Sequence, residues 1–345
     1  MDFIIHIGMG KTGSTSIQNH LEENISFYES KKVRYLGLIL ENFQGNSKLS
    51  WQKKSYAHAI SDILNNESLK CEFRNLLQQA LDKAKIEGLE KVILSNEGLG
   101  ESLTIFCQLL EEINLDGVRV KFIAYIRNPL DWSLSAYSQW GIKHKTYTGE
   151  VQSYLSYFNS RNIDFANQLE PLKKLQHESI YVNYDEVSDT VQDFLARCKI
   201  QINFDLFESN SKKDNVKPSK AELFYRAVFN TRRNETTLPS VFDNYLNIEN
   251  INFEWDPIAW FNQLQPSKSG LNMVYDKNKI FFNELNMLLK NQNEQQFEYK
   301  NFEKLISEDH LSIEKITGVL IQIILNQNAK LIELEKRLEK KITND

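Results

Sequence analysis

The chain has 345 residues and a formal net charge of −5, and its apolar and charged fractions are those of a globular protein. The negative charge argues against nucleic-acid binding through bulk charge, although it leaves room for a local basic pocket. The three cysteines, Cys71, Cys107 and Cys198, lie far apart and form no CxxC pair, which argues against a zinc knuckle or a dithiol redox motif.

Short apolar runs alternate with longer amphipathic segments in the N-terminal part of the chain. The predicted strands are Phe3–Ile7, Val33–Ile39, Lys91–Leu94, Val118–Ile126 and Ser179–Tyr184. The predicted helices are Thr15–Asn24, Glu67–Ile86, Ser102–Ile113, Leu130–Lys143 and Thr190–Cys198. This alternation predicts an α/β protein with a central, mainly parallel sheet covered by helices on both faces. Because ligands of such sheets bind beyond the carboxyl ends of the strands, the site is expected at a strand-to-helix junction.

The strand pattern fades after residue 205 or so, where a polar segment, Phe207–Ser219, predicts a loop. A helix is predicted to start near Pro218, because proline is favoured in the first turn. The rest of the chain is predicted to be helical or irregular. We therefore expect an α/β domain over residues 1–235 and a mostly helical C-terminal extension over residues 236–345.

The segment Ser312–Lys341 is a candidate for one long helix. Ile313, Leu320 and Leu334 share one heptad phase, and Ile324, Leu331 and Leu338 share the next, with Thr317 and Gln327 interrupting the seam. The pattern leaves two interpretations open. The helix either forms a homodimer contact or docks on its own domain.

The sequence shows no membrane-spanning pattern. The apolar run from Val319 to Leu325 is too short to cross a bilayer, and the N-terminus lacks the features of a signal peptide. The expected location is the cytoplasm.

The strongest local pattern follows the first predicted strand, in the segment His6–Ser16. Gly8, Gly10 and Gly13 let the backbone pass close to a ligand, and the next helix begins with Ser14, Thr15 and Ser16. A helix N-terminus, hydroxyl donors and the charge of Lys11 together indicate a cradle for phosphate or sulfate. The order Lys-x-Gly-x-Thr is not that of a Walker A loop, in which Lys follows the last glycine. The alternative is a tight turn that binds nothing.

A second anion site is predicted where the strand Val118–Ile126 ends. Arg127 follows this strand, Pro129 suits a first helical turn, and Ser135 comes eight residues after Arg127. An Arg fork and a hydroxyl could bind a second phosphate at the same sheet edge as the first loop. Alternatively, Arg127 simply pairs with Asp131.

Together the two motifs resemble those of the sulfotransferases that use 3′-phosphoadenosine-5′-phosphosulfate (PAPS). The family's 5′-phosphosulfate loop matches Lys11-Thr12-Gly13-Ser14-Thr15, and its 3′-phosphate motif matches Arg127-Asn128-Pro129, Asp131 and Ser135. Ser16-Ile17-Gln18 is similar to the bacterial, carbohydrate-type members. Weaker similarities occur at Tyr184–Val187 and Asn215–Ser219. The family's late Arg-Lys-Gly phosphate clamp is not evident, and Ser267–Gly270 is its nearest substitute. The resemblance covers residues 1–235.

The resemblance implies a P-loop NTPase-like three-layer fold and sulfuryl transfer from PAPS to an acceptor hydroxyl or amine, releasing adenosine 3′,5′-bisphosphate. It implies that Lys11 assists the leaving phosphate and that residues 11–16, Lys11, Thr12, Gly13, Ser14, Thr15 and Ser16, hold the phosphosulfate. Arg127 and Ser135 would hold the 3′-phosphate. The acceptor is expected to be a glycan or small metabolite, and no metal ligand cluster is visible.

Sulfuryl transfer also needs a general base for the acceptor proton. Glu97 is the candidate, because it follows the strand Lys91–Leu94 at the edge expected for Lys11. The alternative is that Glu97 is a solvated loop or capping residue. His144 is a less favoured base, and His6, Trp132 and Trp140 are predicted to be packing residues.

Two other functions compete with this interpretation. A P-loop nucleotide kinase would need the Walker A order and an acidic Mg²⁺ ligand after a strand, which Ser95-Asn96-Glu97 fits badly. A non-catalytic oligomerising scaffold would have lost Lys11, Arg127 or Ser135, and the sequence retains all three.

Overall fold

The computed structural model describes residues 1–44, 49–52, 60–100, 102–161, 165, 171, 173–174, 177–201, 220–231, 233–244 and 257–298, and single positions between 313 and 337. The predicted loop Phe207–Ser219, with the helix start at Pro218, lies outside these residues, as does the similarity at Asn215–Ser219.

The chain forms two compact units. Unit 1 comprises Met1–Pro129, Asp164–Asn215 and Lys277–Glu298, and unit 2 comprises Leu130–Ile163, Val216–Asp276 and Tyr299–Asp345. These units therefore run differently along the chain from the predicted division into residues 1–235 and 236–345.

The centre of unit 1 is a five-stranded parallel sheet in the order β2-β3-β1-β4-β5. The strands are β1 (Asp2–Gly8), β2 (Val33–Tyr35), β3 (Lys91–Ser95), β4 (Arg119–Ile126) and β5 (Glu178–Asn183). The predicted α/β class, with a central parallel sheet flanked by helices, is confirmed. The first strand lies in the middle of the sheet and leads directly into the glycine-rich loop, which is a P-loop-like arrangement.

The helices are numbered in chain order across both units. They are α1 (Ser14–Glu23), α2 (Ile25–Ser30), α3 (Ile60–Asn65), α4 (Glu67–Ile86), α5 (Leu103–Glu111), α6 (Pro129–Ala136), α7 (Tyr154–Asn159), α8 (Thr190–Arg197), α9 (Lys220–Thr231), α10 (Pro239–Asn244), α11 (Pro257–Leu264) and α12 (Lys268–Asn291). In the described part of the chain, no helix combines the length and apolar character needed to cross a membrane.

The strands of unit 1 are buried over most of their length because helices cover the sheet, although Arg119 and Glu178, the first residues of β4 and β5, are exposed. Ile4, Ile93 and Ile123 from three adjacent strands pack with Tyr28 and Phe194 from the covering helices. A strand that is buried on both faces has a continuous run of apolar residues in its sequence, rather than alternating apolar and polar residues. This explains why the strands could be located from the sequence.

The second strand ends four residues before the predicted end at Ile39, at Tyr35. Gly37 has a φ of 95°, which interrupts the extended backbone. The backbone N–H groups of Leu38 and Ile39 then donate to the Glu41 carboxylate, at 2.9 and 2.7 Å, instead of to a neighbouring strand. A side chain has thus replaced the sheet partner of these two residues.

Unit 2 has an aromatic core. Tyr137, Tyr154, Phe158, Phe224 and Phe261 are buried in one cluster. The phenol of Tyr137 donates to the carbonyls of Gln152 and Leu264, at 2.7 and 2.9 Å, so its hydroxyl is satisfied within this core. Trp132 and Trp140 pack against the same cluster, which confirms the prediction that they are packing residues.

The predicted helix Leu130–Lys143 is two structures. After α6 ends at Ala136, residues Tyr137–Lys143 form a π-helix. The ring of Tyr137 lies over Gly141, where an added Cβ would come within 2.5 Å of the Tyr137 ring. The missing side chain at Gly141 therefore lets Tyr137 pack along the wider π-helical turn.

Candidate active site

The loop between β1 and α1 leaves the centre of the sheet under tight steric constraint. A Cβ at Gly8 would lie 2.5 Å from the carbonyl oxygen of Tyr125 on β4, so only glycine allows the two backbones to approach this closely. The N–H of Met9 donates to the same carbonyl at 3.1 Å. The start of the loop is thereby fixed to β4, the strand that leads to Arg127.

Two residues of the loop have left-handed backbone conformations. Gly13 has a φ of 75°, and Lys11, which carries a side chain, has a φ of 70°. A non-glycine residue in this region costs of order 1–3 kcal/mol and is concentrated at ligand-binding sites. Backbone turns of this kind direct successive N–H groups toward one side and form concave anion sites.

The N-terminus of α1 adds further donors to this loop. Gly13 is the N-cap residue, no side chain caps the first turn, and the first turn contains no acidic residue. The first N–H groups of a helix have no partner within the helix and carry the positive end of its dipole. A ten-residue helix that starts this way therefore offers an anion site without competition from a side-chain cap.

The hydroxyl residues of the loop occupy different environments. Thr12 is buried, and its Oγ1 donates to the Met9 carbonyl at 2.6 Å, so its side chain shapes the loop. Ser14 is buried, Ser16 is half-buried and Thr15 is exposed. The structure thus assigns Thr12 an internal hydrogen bond, whereas the roles predicted for Ser14, Thr15 and Ser16 in ligand binding remain predictions.

Arg127 follows β4 and faces the loop between β1 and α1. Its Nη1 donates to the backbone carbonyl of Lys11 at 3.2 Å, and its Nε donates to Oδ1 of Asp185 at 3.3 Å. The guanidinium lies over the ring of Tyr184, 5.4 Å from its centre. Among the described residues, the remaining N–H groups of the guanidinium have no hydrogen-bond acceptor, and such groups suit an oxyanion.

The carboxylate of Asp185 holds both Arg127 and its neighbour. Its Oδ2 accepts a hydrogen bond from the backbone N–H of Asn128 at 3.0 Å, while its Oδ1 pairs with the guanidinium. Asp185 itself is held in the short 3₁₀ turn Tyr184–Glu186, where its N–H donates to Asn183. Arg127 therefore pairs with Asp185 rather than with the predicted alternative, Asp131.

Other predicted residues lie in unit 2, apart from the loop in the chain. Ser135 is half-buried on α6, and its predicted contact with a 3′-phosphate remains a prediction. His144 ends the π-helix, and partial burial lowers the pKa of its imidazole. Ser267 accepts a hydrogen bond from the Gly270 N–H at 3.2 Å, which is the bonding pattern of a helix cap at the start of α12.

Glu97 stands at the carboxyl end of β3, beside β1. It is the first residue of a 3₁₀ turn, Glu97–Gly100. The preceding residue, Asn96, fixes this turn, because its side chain accepts from the Gly98 N–H at 2.8 Å and donates to the Leu38 carbonyl at 3.0 Å. Glu97 is half-buried, and its Oε2 accepts a hydrogen bond from Nε2 of Gln18 on α1 at 2.9 Å.

His6 is buried on β1, which confirms the prediction that it belongs to the core. Its Nδ1 shares a hydrogen bond of 2.7 Å with Oγ of Ser95, and its ring contacts Tyr125 and Phe194. Nε2 has no hydrogen-bond partner within the described residues. Burial lowers the pKa of this imidazole to about 4, against the opposing charge of Glu97, so the ring is neutral at pH 7.

The structure brings the loop around Lys11, the guanidinium of Arg127 and the carboxylate of Glu97 to the carboxyl edge of the same sheet, on β1, β4 and β3. Sequence reasoning missed Gln18 as the partner of Glu97 and Asp185 as the partner of Arg127. Both were visible only as weak motif similarities. Among the described residues, no group of three His, Cys, Asp or Glu side chains is arranged to hold a metal ion.

The fold is that of an α/β protein in which a glycine-rich loop leaves the central strand of a parallel sheet. No protein-family model matches the chain, and no curated protein matches it by sequence. A solved structure, described as the sulfotransferase domain from the curacin biosynthetic pathway, is similar with a TM-score of 0.34 and 13% identity. The match covers 81% of this chain and 97% of that domain.

Proposed function

We propose that the protein is a sulfotransferase that uses PAPS as donor. One observation carries the proposal. The guanidinium of Arg127 reaches across from the end of β4 and donates to the carbonyl of Lys11 inside the phosphate loop, at 3.2 Å. Two cationic groups at neighbouring strand ends suit a ligand with two separate anionic groups, and a nucleotide with both a 5′- and a 3′-phosphate is such a ligand.

The residues of this chain fit the donor by their chemistry. The left-handed loop and the uncapped N-terminus of α1 would hold the 5′-phosphosulfate, with Lys11 beside the leaving phosphate. Arg127, with Ser135 as the further predicted donor, would hold the 3′-phosphate. The donor supplies the sulfuryl group, and its S–O bond to phosphate breaks as an S–O or S–N bond to the acceptor forms.

Glu97 would take the proton of the acceptor. Its Oε2 is held by Gln18, so the acceptor proton would pass to Oε1. The resemblance favours a glycan or small-metabolite acceptor with a hydroxyl or amine group. Fold alone does not decide this choice, since one fold serves many acceptors.

A binding experiment tests the donor. Adenosine 3′,5′-bisphosphate should raise the unfolding temperature of the protein, whereas ATP with Mg²⁺ should have a smaller effect. Arg127→Ala should weaken bisphosphate binding about 10- to 100-fold, because charge-assisted hydrogen bonds contribute about 1.5–3 kcal/mol. Isothermal titration calorimetry of both proteins gives the two affinities.

Arg34→Ala is the matched control. Arg34 is also largely shielded, with 15% of its side chain exposed against 22% for Arg127, and it pairs with Glu29 and Glu87. Its loss should leave bisphosphate affinity unchanged. Equal weakening by both variants would count against the 3′-phosphate role, and stabilisation by ATP with Mg²⁺ alone would favour the kinase interpretation.

A further inference from the structure

Glu97 is linked to the phosphate-loop helix through one side chain. Gln18 lies in the middle of α1 and is 8% exposed. Its Nε2 donates to Oε2 of Glu97 at 2.9 Å and to the backbone carbonyl of Ser95 at 3.3 Å. One amide therefore joins the helix that begins at the anion cradle to the end of the strand that presents Glu97.

The network fixes the orientation of this amide. Both partners, a carboxylate oxygen and a backbone carbonyl, are acceptors, so the NH₂ side of Gln18 must face them. Ser95 is itself fully buried, and its hydroxyl pairs with His6. One N–H of the Gln18 amide thus bonds to the backbone of β3 at Ser95, and the other N–H points at Glu97.

We propose that Gln18 is a positioning residue that holds the Glu97 carboxylate in the direction needed to accept a proton. The proposal rests on the proposed function, since it assigns Glu97 as the base. A general base must lie within hydrogen-bond reach of the proton that it takes. Loss of the amide should therefore slow sulfuryl transfer and leave donor binding unchanged.

The experiment compares Gln18→Met with Gln78→Met in the full chain. Methionine has the shape of glutamine without its donor. Gln78 donates to Asp82 at 3.0 Å on α4 and thus loses a comparable glutamine–carboxylate hydrogen bond outside the site. Bisphosphate release is followed with PAPS as donor and water as acceptor, and bisphosphate affinity is measured by calorimetry.

In Gln18→Met, kcat for bisphosphate release should fall about tenfold, because the base is no longer held in place. The KM for PAPS and the bisphosphate affinity should stay within about twofold of the wild type, because the phosphate contacts are unchanged. Gln78→Met should match the wild type in all three quantities.

An unchanged kcat in Gln18→Met, or an equal loss of kcat in Gln78→Met, would overturn the positioning role, even in an active sulfotransferase. A wild-type protein that fails to bind the bisphosphate would instead overturn the proposed function, and the two failures are thereby distinguished. Gln18→Glu serves if the methionine variant does not fold. It replaces the donor by a second carboxylate, which repels Glu97, and should lower kcat further.

A separate observation concerns the C-terminal helical segment, defined as residues 313–337. Every described residue in it is helical. Its beginning belongs to unit 2, where Ile316 packs on the core and accepts a hydrogen bond from the phenol of Tyr225 at 3.0 Å. Further along, Ile324, Leu331 and Leu334 are 46%, 57% and 53% exposed.

We infer that this exposed face packs against a second copy of the chain as a parallel two-stranded coiled coil. Ile324 and Leu331 are seven residues apart and take one core position of the heptad, and Leu334 takes the other. In this register the exposed basic residues Lys330 and Arg337 both precede the first core position. These positions would face each other in an antiparallel pair, so their like charges favour the parallel one.

Light scattering of the full chain tests this contact. The wild type should have twice the 40.4 kDa chain mass at micromolar concentration, and Leu331→Lys should have the chain mass alone. Leu238→Lys, which alters an equally exposed leucine at 56% outside the segment, should remain dimeric. A monomeric wild type, or a Leu331→Lys variant that stays dimeric, would overturn this contact.

Discussion

Each unit contains a basic side chain shielded from solvent, and the two side chains differ in how many of their N–H groups are hydrogen-bonded. In unit 1, the guanidinium of Arg127 uses two of its N–H groups on Lys11 and Asp185, and its other N–H groups lack an acceptor among the described residues. In unit 2, Lys145 is fully buried, and its ammonium donates to three backbone carbonyls, those of Gly149, Asn230 and Arg233.

The comparison separates a cation that keeps N–H groups unused, as the proposed ligand site requires, from one whose donors all serve the structure. An ammonium has three protons, and Lys145 places all of them on the backbone of its own unit, although burial lowers its pKa. Its backbone carbonyl also accepts from the Thr237 N–H at 2.8 Å. Burial of a basic residue therefore says little by itself, and the count of unused donors is the better sign of a binding site.

The largest expected effect is on stability and concerns Lys145. Lys145→Met leaves three buried carbonyls without their donor and should lower the free energy of unfolding by about 4 kcal/mol. Urea unfolding followed by tryptophan fluorescence measures the loss, and bisphosphate affinity below the transition should not change. Lys143→Met, at a partly exposed neighbouring lysine, should cost about 0.5 kcal/mol or less. A loss of similar size in both variants would contradict the structural role of Lys145.

The second prediction concerns acid stability of unit 1. The pKa of His6 is about 4 in the folded protein and 6.5 in the unfolded chain, so between these values only the unfolded chain binds the proton. Stability from this group is complete above pH 6.5 and decreases as the pH falls toward 4, by about 3 kcal/mol in total. His6→Asn should flatten the pH dependence of urea unfolding in this window. Parallel curves for the two proteins would contradict the prediction.

The third prediction tests the proposed role of Lys11 beside the leaving phosphate. Lys11→Ala should reduce bisphosphate release from PAPS about 100-fold, because a preorganised charge beside the leaving phosphate is lost, while the unfolding temperature stays unchanged. Lys32→Ala is a close control. Lys32 is exposed and has a φ of 59°, similar to the 70° of Lys11, but lies in the turn after α2. Equal loss in both variants would remove the catalytic assignment of Lys11.

The smallest expected effect tests the shape of the loop. Gly13→Ala and Gly117→Ala both place a side chain at a left-handed φ, of 75° and 71°. A Cβ at Gly13 would also lie 2.8 Å from the Thr190 hydroxyl, whereas a Cβ at Gly117 would meet nothing within 4 Å. Both variants should lose about 1 kcal/mol from strain, and Gly13→Ala about 1 kcal/mol more. Only Gly13→Ala should weaken bisphosphate binding, and an effect of Gly117→Ala on calorimetric affinity would contradict this.

Some elements were predictable because local chemistry determines them. The predicted helix Glu67–Ile86 has the bounds of α4, where the side chain of Asn66 caps the first turn by accepting from the Leu69 N–H at 3.1 Å. The parallel strands were found from continuous apolar runs. Where distant groups intervene, prediction erred, as at the end of β2, where Glu41 captures the N–H groups of Leu38 and Ile39.

For the candidate site, the sequence alone determined which groups stand at strand ends. Lys11, Glu97 and Arg127 each follow an apolar run, and the carboxyl ends of parallel strands share one edge of the sheet. The order of the strands decided the rest. Because β3 and β4 flank β1, Gln18 meets Glu97 across 79 residues and Arg127 meets the Lys11 carbonyl across 116. Such contacts depend on which strands pair, and pairing is decided by packing of the whole sheet rather than by any local pattern.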